Sequence, residues 1–166
     1  MLAPRFSTAS VTVGCARQGQ DRVAVFPLDE SLIIAVADGS GGSGGAEAAD
    51  TVSQTVERFV QDGATDVANS EGSDWCDALR EIDRGLSRSH GGQSTAVLIR
   101  VSPLEIVGAS VGDSGAWIIA EDRHETLTSE SPRKPLLGSG AAQPVSFASR
   151  TSLDGTLLVA TDGLLK

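Results

Sequence analysis

Apolar residues along the chain follow two spacings. In the first third they alternate or run together: residues 10–13 (SVTV) alternate, residues 23–26 follow, and residues 32–37 (LIIAVA) form a continuous apolar run. Alternation predicts a half-buried strand, and a short continuous run predicts a strand covered on both faces, with Pro27 and Asp29-Glu30-Ser31 as the turn before it. Residues 38–45 (DGSGGSGG) fit no regular element. The middle changes to helical spacing. Over residues 46–60, Ala49, Val52, Val56, Phe59 and Val60 share one face, with Gly63 just past the end. Over residues 74–86, Trp75, Leu79, Ile82 and Leu86 do the same, with Ser73 as the expected N-cap and Asp74 favourably placed in the first turn. Strand patterns return at residues 95–101, 105–111, 116–120 and 156–160, joined by turns such as Ser102-Pro103 and Asp113-Ser114-Gly115 that favour antiparallel neighbours.

Residues 129–144 (SESPRKPLLGSGAAQP) are polar and rich in Pro and Gly, and are expected to form a mobile surface loop. With no internal repeat and no linker, residues 1–166 form one domain of the α+β class. A chain of 166 residues can support a core without staples. Two cysteines, Cys15 and Cys76, make no disulfide framework and point to a reducing cytoplasm. No apolar run reaches membrane-spanning length, and the start of the chain lacks a signal-peptide core. The formal net charge of −9 would repel a phosphate backbone, which argues against a nucleic-acid binder.

Candidate chemistry lies at the ends of the apolar runs. Residues 32–37 lead into Asp38-Gly39, residues 105–111 into Gly112-Asp113, and residues 156–161 into Asp162-Gly163. A carboxylate at the tip of a buried strand is costly unless something neutralises it. The adjacent glycine lets the backbone turn and offer its carbonyl to the same ligand. A single Asp-Gly is usually only a turn, as expected for Asp154-Gly155. Three at the ends of the most apolar runs suggest a site, and an all-oxygen donor set suits Mg²⁺ or Mn²⁺ rather than zinc.

A competing reading comes from Gly39, Gly41 and Gly44, which spell G-x-G-x-x-G between a strand and a helix. Against dinucleotide binding, Asp38 directly before the first glycine would repel a pyrophosphate, and the chain lacks alternating βαβ units.

Five segments occur in a telling order: Gln20-Asp21-Arg22, Val36-Ala37-Asp38-Gly39-Ser40-Gly41-Gly42, Gly92-Gln93-Ser94-Thr95-Ala96, Val111-Gly112-Asp113-Ser114 and Ala160-Thr161-Asp162-Gly163. Together they resemble the metal-dependent protein phosphatases of the protein phosphatase 2C (PPM) family, in a compact bacterial-like form. The resemblance implies a β-sandwich of two antiparallel sheets flanked by helices (αββα). It also implies hydrolysis of phosphoserine and phosphothreonine on proteins by a water activated between two divalent metals, Mn²⁺ or Mg²⁺, with a third ion in many members. By that resemblance Asp38 bridges two ions and the Gly39 carbonyl sits on one of them. Asp162 ligates the other, Asp21 acts close to a metal or through its water, and Asp113 helps to hold a third ion. Arg17 is the candidate phosphate-binding arginine and Arg22 the next. The implied partners are a phosphorylated protein substrate and a cognate Ser/Thr kinase.

Departures from the pattern define a second reading. Gln20 stands where the family commonly has Glu, and Ser40 where some members have His. The sequence stops four residues after Asp162, before a late Asp-Asn of the family, which leads us to expect a domain truncated after Asp162-Gly163. These features favour a catalytically impaired phosphatase-like module that binds a phosphoprotein or regulatory partner. In either reading the 129–144 loop is expected to select substrates, with Arg133 and Lys134 meeting phosphate or acidic residues. His90 is expected in a loop, His124 in a solvated charge cluster with Glu121, Asp122 and Glu125, and Cys76 in the core. Cys15 is expected to be structural, with a redox role left open by its place near Asp21.

Overall fold

The computed structural model describes residues 6–13, 19–89, 91–121, 124–149 and 155–165. The chain builds β1 (Asp21–Pro27), β2 (Leu32–Ser40), a 3-10 turn (Gly42–Gly44), α1 (Gly45–Ala68) and α2 (Gly72–Ser89). There follow β3 (Gln93–Ser94), β4 (Ala96–Val101), β5 (Ile106–Val111), β6 (Gly115–Ile119), β7 (His124–Thr126), β8 (Val145–Ser149), β9 (Thr156–Ala160) and a final 3-10 turn (Asp162–Leu165). The larger sheet has the order β1-β2-β4-β5-β8, with β3 paired to the end of β2, and the smaller has the order β7-β6-β9. All pairings are antiparallel. This is the α+β class with two antiparallel sheets, as the sequence implies. Among the described residues both helices pack on the larger sheet, so the layers run helices, large sheet, small sheet.

Side-chain parity on the central strands divides the core in two. Ala96 and Leu98 of β4 face the helices, while Val97, Ile99 and Val101 face the smaller sheet. Because both faces are covered, β4 is apolar on both sides from Ala96 to Ile99. The helical layer contributes Ala48, Ala49, Val52 and Val56 from α1 and Trp75, Leu79, Ile82 and Leu86 from α2, all buried. The smaller sheet contributes Ala116 and Ile118, with Leu127 beside them.

Several local expectations need correction. Residues 10–13 form no strand: Val11 and Val13 are 81% and 73% exposed, so four alternating residues find no core to cover. The glycine-rich segment is more regular than its composition suggests, since Asp38, Gly39 and Ser40 finish β2 and a 3-10 turn follows. Helix α1 continues past Gly63, which interrupts it at φ −145° and ψ 42°. Ser73 is not the N-cap of α2. The helix starts one residue earlier, and the Asp74 carboxylate accepts the Glu71 N–H at 2.7 Å. Cys76 is buried as expected, and His124 is exposed on β7. Cys15, Arg17, His90, Asp122, Asp154 and Lys166 lie outside the described residues.

The 129–144 loop is anchored rather than free. Leu136 and Leu137 are buried, and Leu137 exchanges backbone hydrogen bonds with Ser94. From α2, the buried Asp83 carboxylate accepts the N–H groups of Gly138, Gly140 and Ala142 at 2.8, 3.0 and 3.1 Å. Three charge-assisted bonds to one carboxylate fix a segment whose composition alone suggests mobility. Asp83→Ala is therefore expected to lower stability by about 2–3 kcal/mol and to open the loop. Urea unfolding measures the first effect, and amide exchange at Gly138, Gly140 and Ala142 measures the second.

Candidate functional site

Asp21 and Asp38 are register partners across β1 and β2, and their side chains share a hydrogen bond. Asp162 follows β9 of the smaller sheet, and Asp113 lies in the turn that leads from β5 of the larger sheet to β6 of the smaller. Pairing of Gly115 with Ala160 sets the start of β6 beside the end of β9, so Asp113 and Asp162 emerge at the same end of the molecule. On the larger sheet, Ala96 pairs with Val111, and Thr95 lies against Asp38. The three Asp-Gly junctions thus meet at one end of the fold.

Backbone packing fixes the position of Asp38. A Cβ on Gly39 would stand 2.1 Å from the Gly45 carbonyl oxygen, and one on Gly92 would stand 2.1 Å from the carbonyl carbon of Gly44. Gly41 and Gly42 take φ of +91° and +57°, the left-handed conformations that glycine adopts readily. The glycine run therefore brings the start of α1 against β2 and the segment before β3 with no side chain between them. The sheets are antiparallel, so G-x-G-x-x-G does not stand in the parallel βαβ unit of a dinucleotide fold.

Two residues quoted in the sequence motifs, but given no role there, hold the Asp38 main chain. Its N–H donates to Thr95 Oγ1 at 3.0 Å, and its carbonyl accepts the Thr95 N–H at 2.9 Å and the Ser94 hydroxyl at 3.1 Å. Thr95 Oγ1 in turn lies 2.6 Å from Ser114 Oγ, joining this clamp to the residue after Asp113. Gln20 works alongside: its carbonyl accepts the Gly39 N–H, and its side-chain amide donates to the Gly42 carbonyl at 3.0 Å.

The electrostatics match this crowding. The Asp38 carboxyl is raised from 3.8 to about 6, first by burial, then by the charges of Asp21 and Asp162, with the Asp21 hydrogen bond and Asp113 adding to it. Asp113 is answered by a cation, since Arg133 donates from Nε and Nη2 to its Oδ2 at 3.2 and 2.7 Å. Arg22 is committed elsewhere: Nε and Nη2 bind Asp50, and Nη1 donates to the carbonyls of Gly19 and Asp21. It is thus a structural arginine tying β1 to α1. Ser40 is exposed at the end of β2. As placed, no group of three His, Cys, Asp or Glu side chains among the described residues could hold a metal ion.

Asp83 and Arg100 are buried charged groups that motif reading passed over. Arg100, on β4, donates to the Ser70 carbonyl at 3.1 Å and to Glu105 at 2.6 Å. An Asp on the apolar stripe of α2 and an Arg inside an otherwise apolar strand were the available signals.

No family model and no curated protein matches the chain. Solved structures do. A point variant of a bacterial serine phosphatase aligns with a TM-score of 0.80 at 22% identity, covering 91% of this chain and 73% of that one. The fold is that of the bacterial serine phosphatases. The serine/threonine phosphatase Stp1 from Staphylococcus aureus aligns with a TM-score of 0.69 at 18% identity, covering 96% of this chain and 81% of that one. RsbX in complex with magnesium aligns with a TM-score of 0.71 at 17% identity, covering 90% of this chain and 69% of that one. Among the described residues, no helix is long and apolar enough to cross a membrane.

The raised Asp38 carboxyl gives the protein without metal a definite pH dependence. A carboxyl held higher in the folded than in the unfolded chain contributes stability below its unfolded value, and that contribution is lost as pH rises through about 6. Asp38→Asn removes the loss. The variant is expected to be more stable than the parent by about 1 kcal/mol at pH 7.5, allowing for solvent screening, and equally stable at about pH 3, below the unfolded value. Denaturant melts in chelator at the two pH values test this.

Proposed function

We propose that the chain is a metal-dependent protein serine/threonine phosphatase, acting on phosphoserine and phosphothreonine of protein substrates. The observation that carries this reading is the gathering of Asp21, Asp38 and Asp162 at one end of a phosphatase fold. Asp38 there feels the other carboxylates, and its own has no Lys or Arg partner among the described residues. Burial and like charge together disfavour an ionised Asp38, and a divalent cation reverses both effects. The donors are oxygens only, which fits Mg²⁺ or Mn²⁺.

In this reading Asp38, Asp21, Asp162 and the Gly39 carbonyl would hold the ions after a local rearrangement of the carboxylates, and Asp113 would serve a third ion in place of its pairing with Arg133. Bound divalent ions supply an activated water and neutralise phosphoryl charge. The protein's own part is positioning. Ser94 and Thr95 fix the Asp38 main chain, Gln20 fixes the glycine turn, and the Asp83-anchored loop carries Arg133 to the edge of the site. Arg133 is exposed and meets the phosphate of an arriving substrate, with Lys134 beside it. Arg17 is carried with this reading as a phosphate ligand on the strength of the sequence resemblance alone. Ser40 is no substitute for an acid, because a hydroxyl is too weak to protonate a leaving alkoxide. The partners are a phosphoprotein and the Ser/Thr kinase that opposes this enzyme, in the cytoplasm.

The test is release of phosphate from a phosphothreonine peptide across a Mn²⁺ titration, with calorimetry reporting metal binding separately. Metal-dependent turnover is expected. Asp38→Ala is expected to reduce it by more than the roughly 10–100-fold typical of groups that only support a metal ligand. Metal binding without turnover would replace the enzyme by a phosphoprotein-binding module, and neither would reject the metal site itself.

A further inference from the structure

Away from the carboxylates, the far half of α1, the outer face of α2 and residues 140–142 border an open groove of about 1060 Å³. It forms because each helix packs mainly on the sheet rather than on the other helix, and because Gly63 interrupts α1 at this point. The apolar lining comes from Phe59 and Val67 of α1, Trp75 and Ala78 of α2, and Ala142. Trp75 is 3% exposed, and its indole N–H has no acceptor among the described residues.

Charge around the groove is unbalanced. Asp62, Asp74, Asp77, Glu81 and Asp83 line it against Arg80 and Arg84. Arg80 is paired to Asp77 at 2.7 Å, and Asp74 caps the start of α2. Asp62 and Glu81 are exposed on the rim. The groove is thus an apolar floor under an acidic rim, open to solvent and at the upper end of small-ligand pocket size.

We propose that this groove is a docking site for a basic peptide segment of a partner protein, with apolar side chains against Phe59, Trp75 and Ala142 and Lys or Arg side chains against Asp62 and Glu81. Charge complementarity selects the occupant: an acidic segment or a nucleic acid is repelled, and a basic one is steered in. This site does not depend on the phosphatase reading, since binding here uses no metal and no carboxylate of the catalytic end.

Two tryptophans are present, so Trp117→Phe leaves Trp75 as the reporter. The probe is a short amphipathic peptide of Leu and Lys, beside a Ser and Lys peptide of equal charge. Saturable change in Trp75 emission is expected with the first. Binding should weaken by at least about tenfold for the second peptide, for Ala78→Arg, and for the exposed double change Asp62→Lys with Glu81→Lys. Equal binding by both peptides, or binding undiminished from the parent in both groove variants, would reduce the effect to general attraction to an acidic protein and overturn the proposal. Self-association of the parent, abolished by Ala78→Arg, would assign the groove to a second copy and overturn it as well.

Discussion

At the end of β2 the main chain passes Gly45 so closely that a single methyl group on Gly39 would strike the Gly45 carbonyl oxygen. The same is true where Gly44 meets Gly92. Here α1, β2 and the segment before β3 are joined backbone to backbone, and the site depends on that contact. It sets where α1 begins, where β2 stops, and therefore where Asp38 is held. Any side chain at Gly39 or Gly92 would force the helix off the sheet, because the atoms in the way are main chain and cannot rotate aside. The glycine run is thus explained by sterics before any ligand is invoked.

With Asp38 fixed in this way, carboxylate repulsion follows. Asp21 faces it by strand register, Asp162 arrives from the other sheet, and Asp113 lies on the turn that joins the two sheets. A fold tolerates such a cluster only if its surroundings do not yield, and two features supply that rigidity. The main chain of Asp38 is tied by Ser94 and Thr95, so repulsion cannot swing the residue away. Both faces of the larger sheet are buried at its centre, which sets β2, the strand that carries Asp38, between two packed cores. The residual strain is electrostatic and appears as the raised Asp38 carboxyl. A site that keeps unfavourable charge together in this way is typical of functional positions, where local stability is given up for chemistry.

The sequence was most legible where burial on two faces or a long helical stripe dominated. The 32–37 run, the α2 stripe and the β4 and β5 strands all appear where their periodicity places them. It was least legible at short edges. The three residues of β7 and the five of β8 carry too little pattern to register, and residues 10–13 carry a pattern with no partner. The carboxylates of the candidate site were visible because Asp-Gly at a strand end is a local signal. The groups that hold them were not, because Thr95 to Asp38 and Arg133 to Asp113 are contacts between residues far apart in the chain.

The 129–144 loop shows why composition misleads at such places. Pro, Gly and polar residues disfavour regular structure, but they do not make a segment mobile. Mobility depends on whether the main-chain N–H and C=O groups find partners, and here a buried Asp83 accepts three of them while Leu137 bridges to Ser94. Ser94 also holds Asp38, and the same loop delivers Arg133 to Asp113. One irregular segment therefore connects the helical layer to the carboxylate end of the sheets through contacts that are each polar and directional. A change at Asp83 would reach Arg133 through this segment and would also loosen the seat of Leu137 in the core under the helices, so the loop, rather than either sheet, is the element that couples the helical layer to the site.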